Sequence, residues 1–466
     1  MWLFGDPIIH VDEEFYFLTG GRMLHGVLPY VGIWDRKPIG LFLIYAFAHA
    51  IGRGNVIAYQ LLATASAAAT ALVVRTLALS VSTPRASWIA AAAYLLYLPV
   101  FNGSGGQSPV FYNLQMASAA MLLVTLTKGS SKPVRWRGGA AMLLVGLAIQ
   151  IKYTAIFEGM FFGLWLLWRN WQQDRRLHVL ALNGVFWAAL ALLPTIAAFA
   201  WYAALGHAGE FVQANFLSVM SRHEAIGPSL QRLFWAIIDL SPLIVAVGLA
   251  RRQLRQSPQG RLLIGWSSVA VAAYLAFGNY YDHYALPLLP PLCAAGAAGL
   301  TGAKARKYLA PVLITASFCI GSFTEYRHWR ELGSEPDVER LTEVIRPHLH
   351  GCMFMFEGHA ILYDRLNACF VTRYVFPYHL STSKEANALG VDVLAELARI
   401  RAAHPSVVVI ADRPRQQSNE AARNFMLATL RQDYRFVAAV PAGRQLWLVY
   451  AWQGPSAVPK QRVPVA

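Results

Sequence analysis

Long apolar runs alternate with short polar stretches along the chain as far as residue 324. A membrane-spanning helix needs about 20 predominantly apolar residues, and several of these runs have only about 15, so their bounds are approximate. The pattern predicts ten spans, at 54–79, 86–101, 109–127, 138–152, 154–168, 179–204, 233–250, 262–277, 284–303 and 308–324.

The pattern changes at about residue 330, where amphipathic segments begin to alternate with short runs typical of strands. Helices are predicted at 337–349, 391–405 and 420–432, and strands at 352–358, 369–376, 406–412, 436–440 and 446–452. This alternation predicts a small α/β domain over residues 330–452, followed by a disordered tail at 453–466. The domain has no GxGxxG and no P-loop, so nothing indicates nucleotide binding.

The formal net charge of +15 is informative mainly through the positions of the basic residues along the chain. The basic residues form short clusters between alternate apolar runs, which argues against a nucleic-acid-binding face and marks those loops as cytoplasmic. The acidic N-terminal stretch and the α/β domain are then external. The clusters are Arg75 and Arg85; Lys128, Lys132, Arg135 and Arg137; Arg169, Arg175 and Arg176; Arg251, Arg252, Arg255 and Arg261; and Lys304, Arg306 and Lys307.

This topology places the N-terminus outside with no preceding segment to carry it there. We expect that the native chain extends upstream of Met1 and that a first transmembrane helix is missing; the alternative is a short tail that crosses unaided. The apolar but short stretch 38–53 is predicted to be an interfacial helix, so that 1–53 forms an external loop with one helix.

The four cysteines fall into two pairs. Cys293 and Cys319 lie in apolar segments and are predicted to be core residues. Cys352 and Cys369 lie in the α/β domain, where two interpretations remain open, a disulfide in an oxidising compartment or two buried thiols.

Three consecutive carboxylates, Asp12, Glu13 and Glu14, stand in the external N-terminal stretch. A carboxylate at the membrane surface can meet a lipid head group and a water-soluble molecule together, and it can accept a proton from an attacking hydroxyl. The simpler interpretation is a helix N-cap or a solvated acidic loop, and Glu14 in particular is expected to be solvated.

Several motifs follow one another on the predicted external side. They are the Asp12-Glu13 pair, G-x-L-P-Y at 26–30, W-D-R-K-P-I-G at 34–40, GLAIQIKYTAIFE at 146–158 and YYDHYALPLLPPL at 280–292. In this order they resemble the GT-C glycosyltransferases of the family 39 type, the group of protein O-mannosyltransferases and lipid A aminoarabinose transferase. The resemblance implies an α-helical polytopic membrane protein of about 10–11 transmembrane helices, with a catalytic domain at 1–329 and a small C-terminal α/β domain.

The resemblance also implies roles for individual residues. Asp12 corresponds to the catalytic base, and Glu13 either orients the acceptor or is solvated. Lys37 corresponds to the contact with the donor phosphate, although Ile39 replaces the family's second proline. The family's arginine after the acidic pair is absent at Phe15, and Arg36 is the candidate substitute. The donor is a sugar on a polyprenyl phosphate, and neither a metal nor another cofactor is expected.

Two further groups of residues are candidates for the same site. Lys152 lies near the external end of its apolar run, where it either reaches the donor phosphate or snorkels, with Glu158 as a possible pairing partner. Tyr281, Asp282, His283 and Tyr284 form an external cluster; an aromatic belt explains the tyrosines, but the Asp282-His283 pair suggests a cavity lining. Gly103, Gly105, Gly106 and Gln107 either border the cavity or, as the commoner explanation, are flexible turn residues.

These observations predict an integral-membrane glycosyltransferase that moves a sugar, with inversion, from a polyprenyl-phosphate carrier to a glycolipid, polysaccharide or protein acceptor. The active site would face the periplasm of a bacterial inner membrane. The alternative is a secondary transporter or a lipid flippase, which would place ionisable residues near the bilayer midplane and show internal repeats. No repeat is visible in the sequence. The oligomeric state stays open.

Overall fold

The computed structural model describes residues 3–127, 134–218, 226–414 and 417–454. The N-terminal part is helical. Its helices are α1 (Val11–Met23), α2 (Ile39–Gly52), α3 (Ile57–Leu79), α4 (Pro84–Val100), α5 (Ser108–Thr127), α6 (Val134–Ile149), α7 (Ala155–Gln173), α8 (Leu177–Ala204), α9 (Ala208–Val212), α10 (Ile226–Gln256), α11 (Pro258–Phe277), α12 (Leu289–Gly296) and α13 (Ala303–Leu332).

Six of the described helical stretches are long and apolar enough to cross a membrane: α3, α5, α8, α10, α11 and the stretch Ala303–His348 that begins with α13. Large apolar side chains such as Leu182 and Val185 on α8 and Leu249 on α10 point outward and are exposed, as expected for a surface that faces lipid. The protein is therefore a helical polytopic membrane protein.

The other four predicted spans are also helical, but they differ from simple spans. Helices α4 and α6 have 17 and 16 residues, and α7 ends in the polar sequence RNWQQ. The span predicted at 284–303 is wrong as a single helix, because the chain forms two short 3-10 turns, the eight-residue α12 and a third 3-10 turn. Pro287, Pro290 and Pro291 explain the break, since proline lacks the N–H that a helix interior requires.

The N-terminal stretch is not the loop that the sequence predicted. It forms α1, whose first turn carries all three carboxylates, and α2, which matches the predicted helix at 38–53. Leu41, Phe42 and Tyr45 of α2 are buried, whereas Leu43 and Phe47 are exposed apolar residues on its other side. This second face is suited to contact with the acyl region of a bilayer.

The connections between helices fall at two ends of the bundle. At the end with the basic clusters, the Arg169 guanidinium donates to the Leu126 carbonyl (3.1 Å) and the Trp187 indole donates to the Arg135 carbonyl (2.9 Å). Lys128 and Lys132 lie outside the described residues. The opposite end holds α1 and the α4–α5, α6–α7 and α11–α12 connections, and all the predicted site residues lie there or close to it.

The C-terminal domain is a mixed sheet with helices on its two faces. Its elements are α14 (Glu335–Ile345), β1 (Cys352–Met355), α15 (Ile361–Arg365), β2 (Cys369–Phe370), α16 (Val393–Ala402), β3 (Val407–Ala411), α17 (Glu420–Asp433), β4 (Tyr434–Ala442) and β5 (Gln445–Trp452). The strand order is β2-β1-β3-β5-β4, with β2, β1 and β3 parallel and the β3–β5 and β5–β4 pairs antiparallel. The predicted α/β domain is thus present.

Three details differ from the sequence interpretation or complete it. The strand predicted at 369–376 pairs only over Cys369–Phe370, because the chain then turns away and the Arg373 carbonyl accepts from the Trp34 N–H (2.8 Å). Cys352 and Cys369 form a disulfide between β1 and β2, which decides between the two open interpretations. Cys319 is exposed on α13 and is not the predicted core residue, whereas Cys293 is buried. The predicted tail lies almost wholly outside the described residues, which end at 454.

The α/β domain packs directly on α1 and on the loop that follows it. Trp34 is 2% exposed and belongs to the same apolar cluster as Phe354, Phe356 and Ile410 of the sheet. The Arg22 guanidinium at the end of α1 donates to the carbonyls of Tyr363 (3.0 Å) and Ala368 (2.8 Å). The helix with the three carboxylates is therefore fixed from both domains.

Candidate active site

The first turn of α1 distributes its three carboxylates to three environments. His10 is the N-cap residue, and its ring nitrogen Nδ1 accepts from the Asp12 N–H (3.3 Å). The Asp12 side chain is 19% exposed, whereas Glu13 and Glu14 are 0% and 1% exposed. Successive residues of a helix point about 100° apart, so of the three carboxylates only Asp12 lies on the partly exposed side of α1.

Asp12 is the centre of a cluster of positive charge. Burial raises the pKa of the Asp12 carboxyl, whereas the nearby Lys37 ammonium lowers it. His10, His283 and Lys152 add to that lowering, and the net pKa lies well below the usual value for an aspartate. Asp12 is therefore an ionised carboxylate at neutral pH.

Lys37 reaches this cluster because the residues before it are anchored. Trp34 is inserted in the core of the α/β domain, and the Lys37 carbonyl accepts from the Tyr30 hydroxyl (2.7 Å). The Lys37 ammonium lies 5.5 Å from the centre of the Tyr16 ring on α1. The loop thus holds the lysine beside the first turns of α1.

Arg36, the other predicted phosphate contact, is bound elsewhere. Both terminal nitrogens of its guanidinium donate to the Glu385 carboxylate of the α/β domain, one of them at 3.2 Å, and the guanidinium lies 5.2 Å from the Trp34 ring. In this structure Arg36 ties the loop to the C-terminal domain. Its role as a second phosphate contact stays a prediction.

Lys152 lies in the α6–α7 connection and is 8% exposed. Its ammonium is 4.2 Å from the centre of the Tyr284 ring, and its charge interacts with those of Lys37 and Asp12. The expected pairing with Glu158 is not found, because the Glu158 carboxylate accepts from the Trp266 indole. Both Lys152 and Glu158 line a narrow cavity between α5, α7 and α11.

The predicted 281–284 cluster forms a wall beside Asp12. Tyr281 stacks on His283 (ring centres 6.1 Å apart), His283 packs edge-on against Tyr284 (4.7 Å), and His283 also faces His10 (5.8 Å). Tyr284 lines the narrow cavity, and Tyr281 lines a cleft against the α/β domain. A simple aromatic belt does not account for these contacts.

The burial of Glu13 and Glu14 contradicts the expectation that they are solvated. The Glu14 carboxylate Oε1 is 3.1 Å from Nδ1 of His359 on the α/β domain, and both side chains are almost fully buried. Glu13 packs against the α4–α5 connection, where a Cβ on Gly105 would overlap with its carboxylate. Burial raises the pKa of Glu13 to about 8, so this side chain is neutral at pH 7. Its role in orienting an acceptor stays a prediction.

The raised pKa of Glu13 predicts a stability that falls with pH. In the unfolded chain the carboxyl ionises near its ordinary pKa of 4.5, whereas in the folded protein it keeps its proton up to a pKa of about 8. The folded state thus binds more protons between these values, and the free energy of unfolding decreases as pH rises through that window. Thermal unfolding of the detergent-solubilised protein at several pH values between 5 and 8 should show this decrease.

In Glu13→Gln, which keeps the shape of the neutral acid, the decrease should become shallower. The same measurement on Glu14→Gln is the matched control. An identical slope in wild type and Glu13→Gln would contradict a protonated Glu13.

Some residues in the site were missed or misjudged from the sequence. His10 precedes the acidic triplet at the N-cap position, a signal that the sequence did contain. Asp35 is 8% exposed, and its charge interacts with those of Lys37 and Asp12. Asn102 donates to the Asp282 carboxylate (3.0 Å), and the Gln107 amide lies 2.7 Å from His10 Nδ1, so the supposed flexible turn is a packed part of the site.

A resident metal is not needed to explain this arrangement. Within the described ranges no group of three or more His, Cys, Asp or Glu side chains is placed to hold a metal ion. The absence of a metal cofactor stays a prediction.

Comparison with known proteins identifies the fold of the chain. No protein-family model and no curated protein sequence matches the chain. The apo crystal structure of ArnT from Cupriavidus metallidurans superposes with a TM-score of 0.63 at 14% identity, over 94% of this chain and 92% of that chain. The same protein bound to undecaprenyl phosphate gives 0.61 at 13% identity, over 93% and 92%. The chain has the GT-C fold.

A more distant likeness agrees with this fold. The oligosaccharyltransferase of Archaeoglobus fulgidus, crystallised with Zn and sulfate, superposes with a TM-score of 0.50 at 11% identity, over 94% of this chain but 69% of that chain. Both neighbours are GT-C glycosyltransferases. At these identities the likeness concerns the fold, and the candidate site consists of this chain's own residues.

Proposed function

We propose that this protein is a membrane glycosyltransferase that moves a sugar from a polyprenyl-phosphate donor to an acceptor hydroxyl on the external side of the membrane. The observation that carries the proposal is the proximity of Asp12, Lys37 and Lys152, a partly exposed carboxylate and two ammonium groups, beside a cavity between helices that Lys152 lines. Such a cluster suits a reaction in which a hydroxyl loses a proton and a phosphate leaves.

The proposed reaction is a single displacement. The acceptor oxygen attacks the anomeric carbon while the bond from that carbon to the phosphate oxygen breaks. The hydroxyl proton passes to Asp12, and the polyprenyl phosphate leaves with the electron pair, next to Lys37 and Lys152. The lysines stabilise the charge that develops on the leaving group. Because they then interact with the phosphate as well, Asp12 becomes a stronger base once the donor is bound. Attack opposite the leaving group inverts the anomeric centre.

The narrow cavity is the proposed donor side. It lies between α5, α7 and α11 and is lined by Tyr112, Lys152 and Tyr284, so that apolar helix surfaces and a buried ammonium group meet there. Its volume is about 30 Å³, so it would have to widen to hold a donor. A lipid phosphate requires this combination, an apolar path for the chain and a cation for the head group. The likeness to ArnT, which was crystallised bound to undecaprenyl phosphate, supports a lipid-linked donor.

The proposed acceptor side is a cleft of about 590 Å³ between the 281–284 wall and the α/β domain. The Tyr281 ring lies between two cations, with the Arg232 guanidinium 4.2 Å and the Lys384 ammonium 5.0 Å from its centre. Lys384 also donates to the Tyr281 hydroxyl (2.7 Å). The cleft would admit a glycolipid, a polysaccharide or a protein segment from the aqueous side, and His283 would separate it from the donor cavity.

The external location of the site is part of the proposal. The basic clusters lie at the opposite end of the bundle, as expected for cytoplasmic loops. The disulfide between Cys352 and Cys369 fits an oxidising compartment such as a bacterial periplasm.

One feature favours the alternative of a transporter or flippase. The proline-broken stretch is largely buried within the bundle from residue 285 to 300, and broken helices are common at transporter substrate sites. The candidate charged residues nevertheless gather at one end of the bundle, which suits a reaction at one membrane face.

The deciding experiment offers purified protein in liposomes a panel of polyprenyl-phosphate sugars and measures released polyprenyl phosphate. We expect release with a subset of donors, and stimulation by the acceptor. Thermal unfolding establishes separately that the protein is folded. If such protein releases polyprenyl phosphate from none of the donors, the transferase hypothesis is rejected and the transporter hypothesis is favoured.

A further inference from the structure

The α4–α5 connection contacts both parts of the candidate site. At its start, the Asn102 amide donates to the Asp282 carboxylate (3.0 Å). At its end, Nε2 of Gln107 lies 2.7 Å from Nδ1 of His10, and Gln107 is 0% exposed. Gly105 lies so close to Glu13 that a side chain there would overlap with the carboxylate. This connection therefore forms a rigid support under the first turn of α1.

The hydrogen bonds fix the position of the proton on His10. Nδ1 faces the backbone N–H of Asp12, which can only donate, so Nδ1 must carry its lone pair. The Gln107 amide must then also donate to Nδ1, and the proton of the neutral ring sits on Nε2. The Asp12 carboxylate oxygen is 4.0 Å from Nδ1, too far for a hydrogen bond that would favour the protonated ring.

We propose that Gln107 is a positioning residue for the base: it holds His10 in the neutral Nε2–H form, and His10 in turn caps α1 and fixes the Asp12 carboxylate. The inference rests on the proposed role of Asp12. Protonation of His10 would place a hydrogen on Nδ1 against two N–H donors, remove the cap and release the first turn of α1. In the free enzyme, His10, not the strongly acidic Asp12, then sets the loss of activity on acidification.

The surroundings of His10 bear on its protonation. The charged and titratable groups near it are Asp12 and Glu14 on α1, Lys37 before α2, Asp282 and His283 in the 281–284 wall, and His328 on α13. The acids favour the imidazolium, and Lys37 and the two histidines oppose it. Burial outweighs the acids and lowers the pKa of His10 below its usual value, in agreement with the neutral ring that the hydrogen bonds require.

The test compares the pH dependence of kcat/KM for donor turnover, which reports the free enzyme, in wild type and four variants. Gln107→Glu offers Nδ1 an acceptor, stabilises the imidazolium and should move the acid limb of the profile to higher pH by about one unit. His10→Asn keeps a good N-cap but cannot titrate, so this variant should lose that limb. In the double variant Gln107→Glu/His10→Asn the shift should vanish. Gln107→Met, which keeps the volume but not the donor, should lower kcat by roughly tenfold with little change in KM.

A shift that persists in the double variant would overturn the proposal, because the carboxylate would then act on some other group. A second readout is independent of activity: the ¹⁵N NMR shifts of the His10 ring, assigned by their loss in His10→Asn. They should show a protonated Nε2 and an unprotonated Nδ1 at pH 7, and the opposite tautomer would also overturn the proposal. If wild type turns over no donor, the proposed function fails, and the nitrogen shifts still decide the state of His10.

Discussion

Replacement of Asp12 by asparagine is expected to lower donor turnover by about 10²- to 10⁴-fold, the range that removal of a general base typically costs. Asparagine has nearly the same shape and still permits the His10 cap on the backbone N–H, but its amide cannot take the acceptor proton. The measurement is release of polyprenyl phosphate at saturating donor, with the midpoint of thermal unfolding measured in parallel to establish that the variant is folded.

The neighbouring residue provides a matched control. Glu13→Gln makes the same chemical change one position along the helix, at a side chain that is buried and whose pKa of about 8 leaves it neutral at pH 7. Its turnover should stay within about tenfold of wild type, because glutamine resembles the protonated acid. Equal losses of turnover in the two variants would indicate that Asp12 and Glu13 act as the base together. A loss only in Glu13→Gln would reject Asp12.

Replacement of Lys37 by methionine is expected to lower kcat by about 10²- to 10³-fold, comparable with the loss of one preorganised group that stabilises developing charge. Methionine retains much of the apolar stem that packs near Tyr16, but it carries no charge. Lys37→Arg should recover part of the loss, since a guanidinium also binds phosphate. The separation of kcat from KM shows whether the ammonium acts mainly on the leaving group or on donor binding.

Arg36 gives the control for this change. Because its guanidinium pairs with Glu385, we would replace both partners together, as Arg36→Met/Glu385→Leu, so that no single buried charge remains. A loss of turnover much smaller than that of Lys37→Met would establish Lys37 as the phosphate contact and Arg36 as a tie between domains. A loss of equal size in a folded protein would restore Arg36 as a second phosphate contact.

The α/β domain contributes to the site through its packing. It accommodates Trp34, pairs with Arg36 and Glu14, and binds Arg22, so that it supports both α1 and the loop that ends at Lys37. The domain thus contributes to the positions of Asp12 and Lys37 without supplying either residue. The sequence could not show this, because each of these contacts joins residues more than 300 positions apart.

The membrane architecture is the part of the fold that the sequence predicted best. Transfer of a side chain into lipid depends mainly on that side chain, so apolar spans can be inferred from short windows, whereas the sidedness that the basic residues indicate stays a prediction. The prediction was wrong where local composition was insufficient. The apolar run 284–303 is broken by its prolines and buried inside the bundle, and the acidic loop is a helix.

The chemistry shows the same division. The sequence alone determined which residue types stand together locally: three consecutive carboxylates, a lysine in W-D-R-K-P, and a Tyr-Asp-His-Tyr cluster. Only the tertiary structure decided that Asp12 is open while Glu13 and Glu14 are buried, and that Lys152 and His283 join Asp12 from distant connections. Helical geometry turns adjacent side chains in different directions, and which direction is solvent, protein or lipid depends on every element packed around the helix.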